Sequence, residues 1–231
     1  MKKYAVIVAG GTGSRYGSKT PKQFLELNGF PMLWWSLYAF WLQDPETGII
    51  LVLPEEYLNE WKEIEKNIKP EYKVPHQVIS GGKTRTESVK RGLSLIPDDE
   101  ESLVAVHDAA RPLLTLEIIE EGWSTAESYG ASIPVVPVTD SLRFLNDNGS
   151  EAVDRDRYVS VQTPQVFKTS YLKDAYEKNN GDTFSDDASA VEKSGRPISL
   201  FQGSPTNIKV TNPGDIEWAS KMMKKKDASF S

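Results

Sequence analysis

Short runs of consecutive apolar residues alternate along the chain with longer stretches in which apolar positions recur every three or four residues. Residues 4–8 form the first run, which stops at Gly-Gly and predicts a buried first strand. In MLWWSLYAFWL, Leu33, Trp34, Leu37, Tyr38 and Trp41 fall on one helical stripe. Those aromatics have the chemistry to stack on bases, but their helical spacing assigns them to core packing. Residues 49–53 read as a second buried strand, followed by a helix over 55–67. HQVIS reads as a third strand, and 83–96 as a helix with Val89, Leu93 and Ile96 facing inward. LVAVHD is a fourth strand, with its helix over 116–128. ASIPVVPV continues the sheet, and Pro134 and Pro137, which lack a ladder donor, predict an edge or irregular strand there. This alternation predicts an α/β fold, a mostly parallel sheet with helices on both faces, in a single domain over residues 1–231.

One segment departs from the pattern. In residues 139–156, Leu142 and Phe144 alternate with Ser141 and Arg143, and NDNG supplies turn chemistry, so a β-hairpin is expected. An isolated two-stranded hairpin is marginal in water. It must therefore lie on its own domain or reach a second subunit. The terminal KMMKKKDASFS ends a helix with solvated lysines, and no internal repeat or low-complexity linker interrupts the chain.

Composition narrows the function. The 231 residues are 39% hydrophobic and 26% charged, ordinary for a globular protein with a core. A net charge of −6 argues against a general nucleic-acid binder, so any anionic ligand needs a local cluster of cations. The absence of cysteine excludes disulfides, thiolate metal sites and a cysteine nucleophile. The N-terminal basic pair and apolar run have the look of a leader, yet the run is short and ends in glycine, as a first strand does. No segment approaches the roughly 20 apolar residues of a membrane span, and a cytoplasmic protein is expected.

The polar residues that remain sit where the predicted strands end. Gly10, Gly11, Gly13 and Gly17 follow the first strand, and ligands of open α/β sheets bind beyond such ends. Glycine lets successive backbone N–H groups approach phosphate oxygens without a Cβ in the way. Arg15, Lys19 and Lys22 add countercharge. The loop is not a Walker motif, because Ser18 rather than Lys follows Gly17, nor a dinucleotide fingerprint, because the glycine spacing is one residue too long. After the third strand, Gly81 and Gly82 turn the chain. Arg85 and Ser88, three residues apart on the next helix, suit a phosphate and a base edge. In AVHDAARP, Asp108 ends the fourth strand and has the chemistry either to hold Mg²⁺ or to cap a helix. Arg111, one short turn later, has the chemistry to clamp a phosphoryl oxygen, and His107 reads as a buried orienting group. Lys209, between Ile208 and Val210, is expected to project into the cleft at the sheet's end.

Taken together, AGGTGSRYGSKTPKQF, GGKTRTES, HDAARP, QTPQVF and NIKVTNPGDI resemble, in order and over nearly the whole chain, the 2-C-methyl-D-erythritol 4-phosphate cytidylyltransferases. The resemblance implies a Rossmann-like nucleotidyltransferase fold, CTP and Mg²⁺ as the reacting pair, and a homodimer whose β-arms cross between subunits. It implies that Ala9, Gly10, Gly11, Thr12 and Gly13, with Arg15 and Lys22, cradle the triphosphate. Gly82 and Ser88 would meet cytosine, with Arg85 beside them. Asp108 would hold Mg²⁺, and Lys209 the α-phosphate region. Arg111, Ser141 and Arg155 match sugar-phosphate positions, the last two lying on the arm. Arg15, Lys22 and Lys209 are the expected catalytic cations. Three departures bear on the acceptor: Ala9-Gly10-Gly11 where the family usually has Ala-Ala-Gly, Tyr16 for Met, and Ser141 for Thr. The first is more like the ribitol-5-phosphate cytidylyltransferases, whereas Ala110 favours methylerythritol. A nucleotide-binding regulator without the chemistry is a third reading, opposed by the presence of every cation and of Asp108.

Overall fold

The computed structural model describes residues 1–10, 21–98 and 101–227, the last four by backbone alone. In chain order the elements are β1 (Lys2–Val8), β2 (Glu26–Leu27), β3 (Phe30–Pro31), α1 (Met32–Gln43), β4 (Gly48–Leu53), α2 (Leu58–Asn67), β5 (Gln77–Ser80), α3 (Arg85–Leu93) and β6 (Ser102–Asp108). They continue as α4 (Leu116–Tyr129), β7 (Ala131–Pro137), β8 (Leu142–Asn146), β9 (Gly149–Val153), β10 (Val159–Val161), β11 (Gln165–Lys168), α5 (Thr169–Lys178), α6 (Asp187–Lys193), β12 (Ser199–Gln202) and α7 (Pro213–Asp227).

The main sheet runs β10-β7-β11-β6-β1-β4-β5, with β12 also on β7. Its centre is parallel: β1 pairs with β4 on one side and β6 on the other, and β5 extends β4. Such strands are covered on both faces and carry continuous apolar runs. Alternate residues divide between two cores. Ala5, Ile7, Ile49, Leu51, Leu103 and Ala105 pack against α1, α2 and α4 through Leu37, Phe40, Trp61, Ile119 and Trp123. Val6, Val8, Ile50, Val52, Val104 and Val106 pack against α3, α5 and α6 through Val89, Leu93, Leu172, Ala175 and Val191. The α1 aromatics belong to the first core, as their spacing predicts; Tyr38 and Trp41 sit at its partly buried margin.

The chain leaves β1 toward β4 and β5, then returns to β6 on β1's other side. The strand order therefore reverses beside β1, and a crevice opens at the carboxyl ends of β1 and β6.

Two expectations need correction. Of the two alternatives for ASIPVVP the edge falls and the irregular strand holds: β12 pairs with it over residues 132–135. Its other side is where the prolines are accommodated: β11 pairs with Ala131 and Ser132, β10 with Val135, Val136 and Pro137. Between them the chain bulges at Gln162, Thr163 and Pro164, leaving Pro134, which has no N–H to give, outside the ladder. The carbonyl of Pro134 accepts the Gln162 N–H at 2.9 Å. Secondly, α3 starts at Arg85, not 83. Thr84 caps it by accepting the Glu87 N–H at 3.1 Å, and Glu87 in turn accepts the Lys83 N–H at 2.7 Å.

The hairpin expected over 139–156 is present. Among the described residues, strands β8 and β9 pair only with each other, from Leu142↔Val153 to Asn146↔Gly149. Phe144 and Leu145 are 57% and 76% exposed, so the hairpin projects as an arm and does not lie on the sheet. Among the described residues no helix is long and apolar enough to cross a membrane.

Candidate active site

A cleft of about 730 Å³ opens at the switch point, lined by residues from the ends of β1, β4, β5 and β6 and by Lys22 and Lys209. Backbone hydrogen bonds continue the ladder past the strands and set its floor: Ala9 N–H donates to Val52, Gly81 N–H to Leu53 and Ala109 N–H to Val8. Gly82 has no substitute here, because a Cβ on it would stand 2.2 Å from the Glu87 Cβ.

Asp108 is the hub. One carboxylate oxygen, Oδ1, accepts from Arg85 Nε at 3.2 Å, and Oδ2 accepts from Lys209 Nζ at 2.7 Å. Burial alone would push this carboxyl up; the charges of Arg85 and Lys209 overcome that and hold it well below the usual carboxylate range. The two cations differ in freedom. The Arg85 guanidinium also donates Nη2–H to Asp187 at 2.7 Å, whereas the Lys209 side chain is 43% exposed. Lys209 lies on no strand, yet it projects as its neighbours dictate: Val210 and Ile208 pack with Met32, Ala219 and Met223.

The backbone around Asp108 is fixed by a buried relay. Its N–H donates to Thr163 Oγ1 at 3.1 Å, and that oxygen lies 3.0 Å from His107 Nδ1. His107 Nε2 faces the Arg111 carbonyl at 3.3 Å, which can only accept. The proton therefore sits on Nε2, and the Thr163 hydroxyl donates to Nδ1. Burial lowers the His107 pKa to about 4, so the ring is neutral. His107 orients, as expected, and does not titrate near neutrality.

The other sequence-derived residues fall into three groups. Ala9, Gly10, Lys22, Gly82, Arg85, Ser88, Asp108 and Lys209 line the cleft together. Two of these are committed differently from expectation. Arg85 is clamped between two carboxylates, which engage its Nε and Nη2. The Ser88 hydroxyl donates to the Thr84 carbonyl at 2.9 Å and accepts the Gly82 N–H at 3.1 Å, so toward a base it offers only an acceptor. Arg111, Ser141 and Arg155 do not line the cleft. Arg111 donates Nη1–H to the Asn207 carbonyl at 2.7 Å, and its buried Nε has no hydrogen-bond partner among the described residues. Ser141 is exposed at the arm's base, where Arg155 donates to the Thr139 carbonyl. Gly11, Thr12, Gly13, Arg15, Tyr16, Gly17 and Lys19 lie outside the described residues.

Sequence reading missed Thr163, Gln165, Tyr176, Asp187 and Asn207. Gln165 belongs to the QTPQVF motif, but its task is visible only in three dimensions: its Oε1 accepts the N–H groups of Asp187 and Ala188, both at 2.9 Å.

A glycine-bearing turn, clustered cations and one strand-end carboxylate at the switch point of a doubly covered sheet define a nucleotidyltransferase. The family model of 2-C-methyl-D-erythritol 4-phosphate cytidylyltransferase matches residues 4–225. An enzyme of that name from Bacteroides thetaiotaomicron is 46% identical over 96% of this chain and 100% of its own, and one from Porphyromonas gingivalis is 44% identical over 96% and 98%. The crystal structure of the Thermus thermophilus enzyme of the same name superposes with a TM-score of 0.75 at 31% identity, covering 95% of this chain and 98% of that one. The chain belongs to the 2-C-methyl-D-erythritol 4-phosphate cytidylyltransferase family.

Proposed function

We propose that the cleft joins CTP to 2-C-methyl-D-erythritol 4-phosphate, giving 4-diphosphocytidyl-2-C-methyl-D-erythritol and pyrophosphate, a step of the non-mevalonate route to isoprenoid precursors. The observation that carries this reading is the Asp108 hub, one ionised carboxylate among Arg85, Lys209 and the nearby Lys22 at the end of β6. In the proposed reaction an acceptor phosphate oxygen attacks the α-phosphorus in line, and the bond to pyrophosphate breaks with its electron pair leaving on oxygen. The nucleophile is already ionised at neutral pH, so positioning and charge stabilisation do the work. Ala9, Gly10, Gly11, Thr12 and Gly13 would wrap the triphosphate, with Arg15 and Lys22 stabilising the leaving pyrophosphate. Lys209 would turn from Asp108 to the α-phosphate. Gly82 and Ser88 would meet the base, and Arg85 would serve the nucleotide site through Asp108.

Mg²⁺ fits this donor set. Among the described residues no three acidic or imidazole groups cluster, and a single carboxylate completed by phosphate oxygens and water is an arrangement Mg²⁺ accepts. Asp108 would hold it through Oδ2, the oxygen that faces the exposed Lys209. When bound, the ion would neutralise phosphate charge and orient the triphosphate.

The acceptor would bind through Arg111 and, across a homodimer, through Ser141 and Arg155 of the arm. The exposed Phe144 and Leu145 support the arm's use as an interface. The whole chain acts in this proposal as one nucleotidyltransferase domain with 139–156 as its arm, working in the cytoplasm, where CTP is supplied. Solution scattering should return a dimer, and a strictly monomeric active enzyme would overturn the shared acceptor site.

The direct test is pyrophosphate release with CTP and Mg²⁺. Turnover with methylerythritol 4-phosphate and background with ribitol 5-phosphate is expected, making Ala9-Gly10-Gly11 a variation within the family. Faster release with ribitol 5-phosphate would overturn the acceptor, and release with neither would overturn the reaction.

A further inference from the structure

Asp187 is fully buried at the start of α6. An uncompensated carboxylate there would be costly, and the structure surrounds it with partners. Arg85 Nη2 donates to Oδ2 at 2.7 Å, and the Tyr176 hydroxyl donates to Oδ1. Its own N–H is fixed by Gln165, whose Nε2 also donates to Asp186 at 2.8 Å. Asp186 caps α6 by accepting the Ser189 N–H at 3.1 Å. Both carboxylates of the Asp186-Asp187 pair are thus engaged, and neither lines the cleft.

The arrangement has a direction. Arg85 has two carboxylate partners, one fully buried, the other lining the cleft. With Nη2 pinned by Asp187, the guanidinium plane is set, and Nε is left aimed at Asp108 Oδ1 at 3.2 Å. Thr163, two residues before Gln165, fixes the Asp108 backbone. The hub carboxylate is therefore braced from both ends, with Oδ2 turned toward the exposed Lys209.

We infer that Asp187 is a positioning residue for the transferase reaction, holding Arg85 so that Asp108 presents Oδ2 to the triphosphate and its metal. This rests on the reading of Asp108 as the functional carboxylate. A structural helix start would need the Asp186 cap and the Gln165 clamp, but would not need a buried anion reaching across to Arg85 of another helix.

The experiment compares Asp187→Asn, Tyr176→Phe and Asp108→Asn, each assayed well below its melting temperature. Asp187→Asn keeps the side chain's volume and removes its charge. It should lower kcat by about 10- to 100-fold, the range typical of residues that support a ligand, with the KM for the acceptor nearly unchanged. The Arg85 Nε–H resonance of the ligand-free protein should broaden or shift, because the brace has gone. Tyr176→Phe should move both readouts in the same direction by less. A folded Asp187→Asn protein with wild-type kcat, or with an unaltered Arg85 resonance, would overturn the inference. Should Asp187→Asn fail to fold, an unchanged kcat and resonance in Tyr176→Phe would overturn it instead. An active Asp108→Asn enzyme would defeat the underlying reading of the hub, a result separable from failure of the brace alone.

Discussion

Replacing Lys22 by Ala is expected to lower kcat for pyrophosphate release by about 10²–10³-fold, the usual cost of losing one well-placed charge donor in a transition state. The melting temperature should barely move. Lys22 opens the short turn Lys22–Phe24 at the cleft wall, and its Nζ donates a long hydrogen bond, 3.3 Å, to the Val210 carbonyl. What anchors that turn is Phe24, buried with its ring parallel to Trp61 at 6.3 Å and edge-on to Tyr57 at 5.9 Å. Ala at 22 leaves those contacts in place, so a loss of activity would report charge and not folding. Lys22→Arg should recover part of the rate, since the charge returns with a different reach and geometry. A kcat within about threefold of wild type in Lys22→Ala would show that the leaving pyrophosphate is stabilised elsewhere.

The parts of this molecule that local chemistry dictates were legible in the sequence. Continuous apolar runs named the central strands because both sheet faces are covered, and alternate residues within one run serve two different cores. Turn chemistry named the arm, since NDNG closes a two-residue loop between Asn146 and Gly149. Lys209 was placed by its neighbours: once Val210 packs inward against Ala219, the intervening lysine has only the cleft to occupy.

Long-range partnerships were not legible. Arg85 and Asp187 stand 102 residues apart in sequence, and SDDAS reads locally as an acid-rich helix start, the pattern any solvated N-terminus favours. Nothing in that pattern says that one of the two acids caps its own helix while the other is buried against a distant guanidinium. The choice between an edge and an irregular strand for ASIPVVP was left open for a related reason. Proline excludes a continuous ladder, but β12 on one side and a bulge opposite Pro134 on the other satisfy that exclusion without an edge. Arg85 was placed beside the nucleotide by its position after the Gly81-Gly82 turn and by the family resemblance; its two carboxylate partners, one of them 102 residues away, were not visible there.

The largest effect should follow from Asp108→Asn. This single change removes the anion that Arg85 and Lys209 share, and with it the proposed metal ligand. Activity should fall by at least about 10²–10³-fold. Stability should fall less than the roughly 3–5 kcal/mol typical of a broken buried ion pair. Arg85 keeps Asp187, and Lys209, already 43% exposed, can turn to water, so about 1–3 kcal/mol is expected. The pH dependence supplies an independent check. Because the folded-state pKa of Asp108 is depressed, its contribution is complete above the unfolded carboxyl pKa of about 4 and is lost as pH falls through the lower folded value. Acidification from about pH 5 to 3 should therefore cost the wild type more stability than the Asn variant, as denaturant midpoints at each pH would reveal. Parallel losses in the two proteins would mean that the hub charge does not stabilise the fold. A fully active Asp108→Asn enzyme would mean that neither Lys209 nor the triphosphate depends on it.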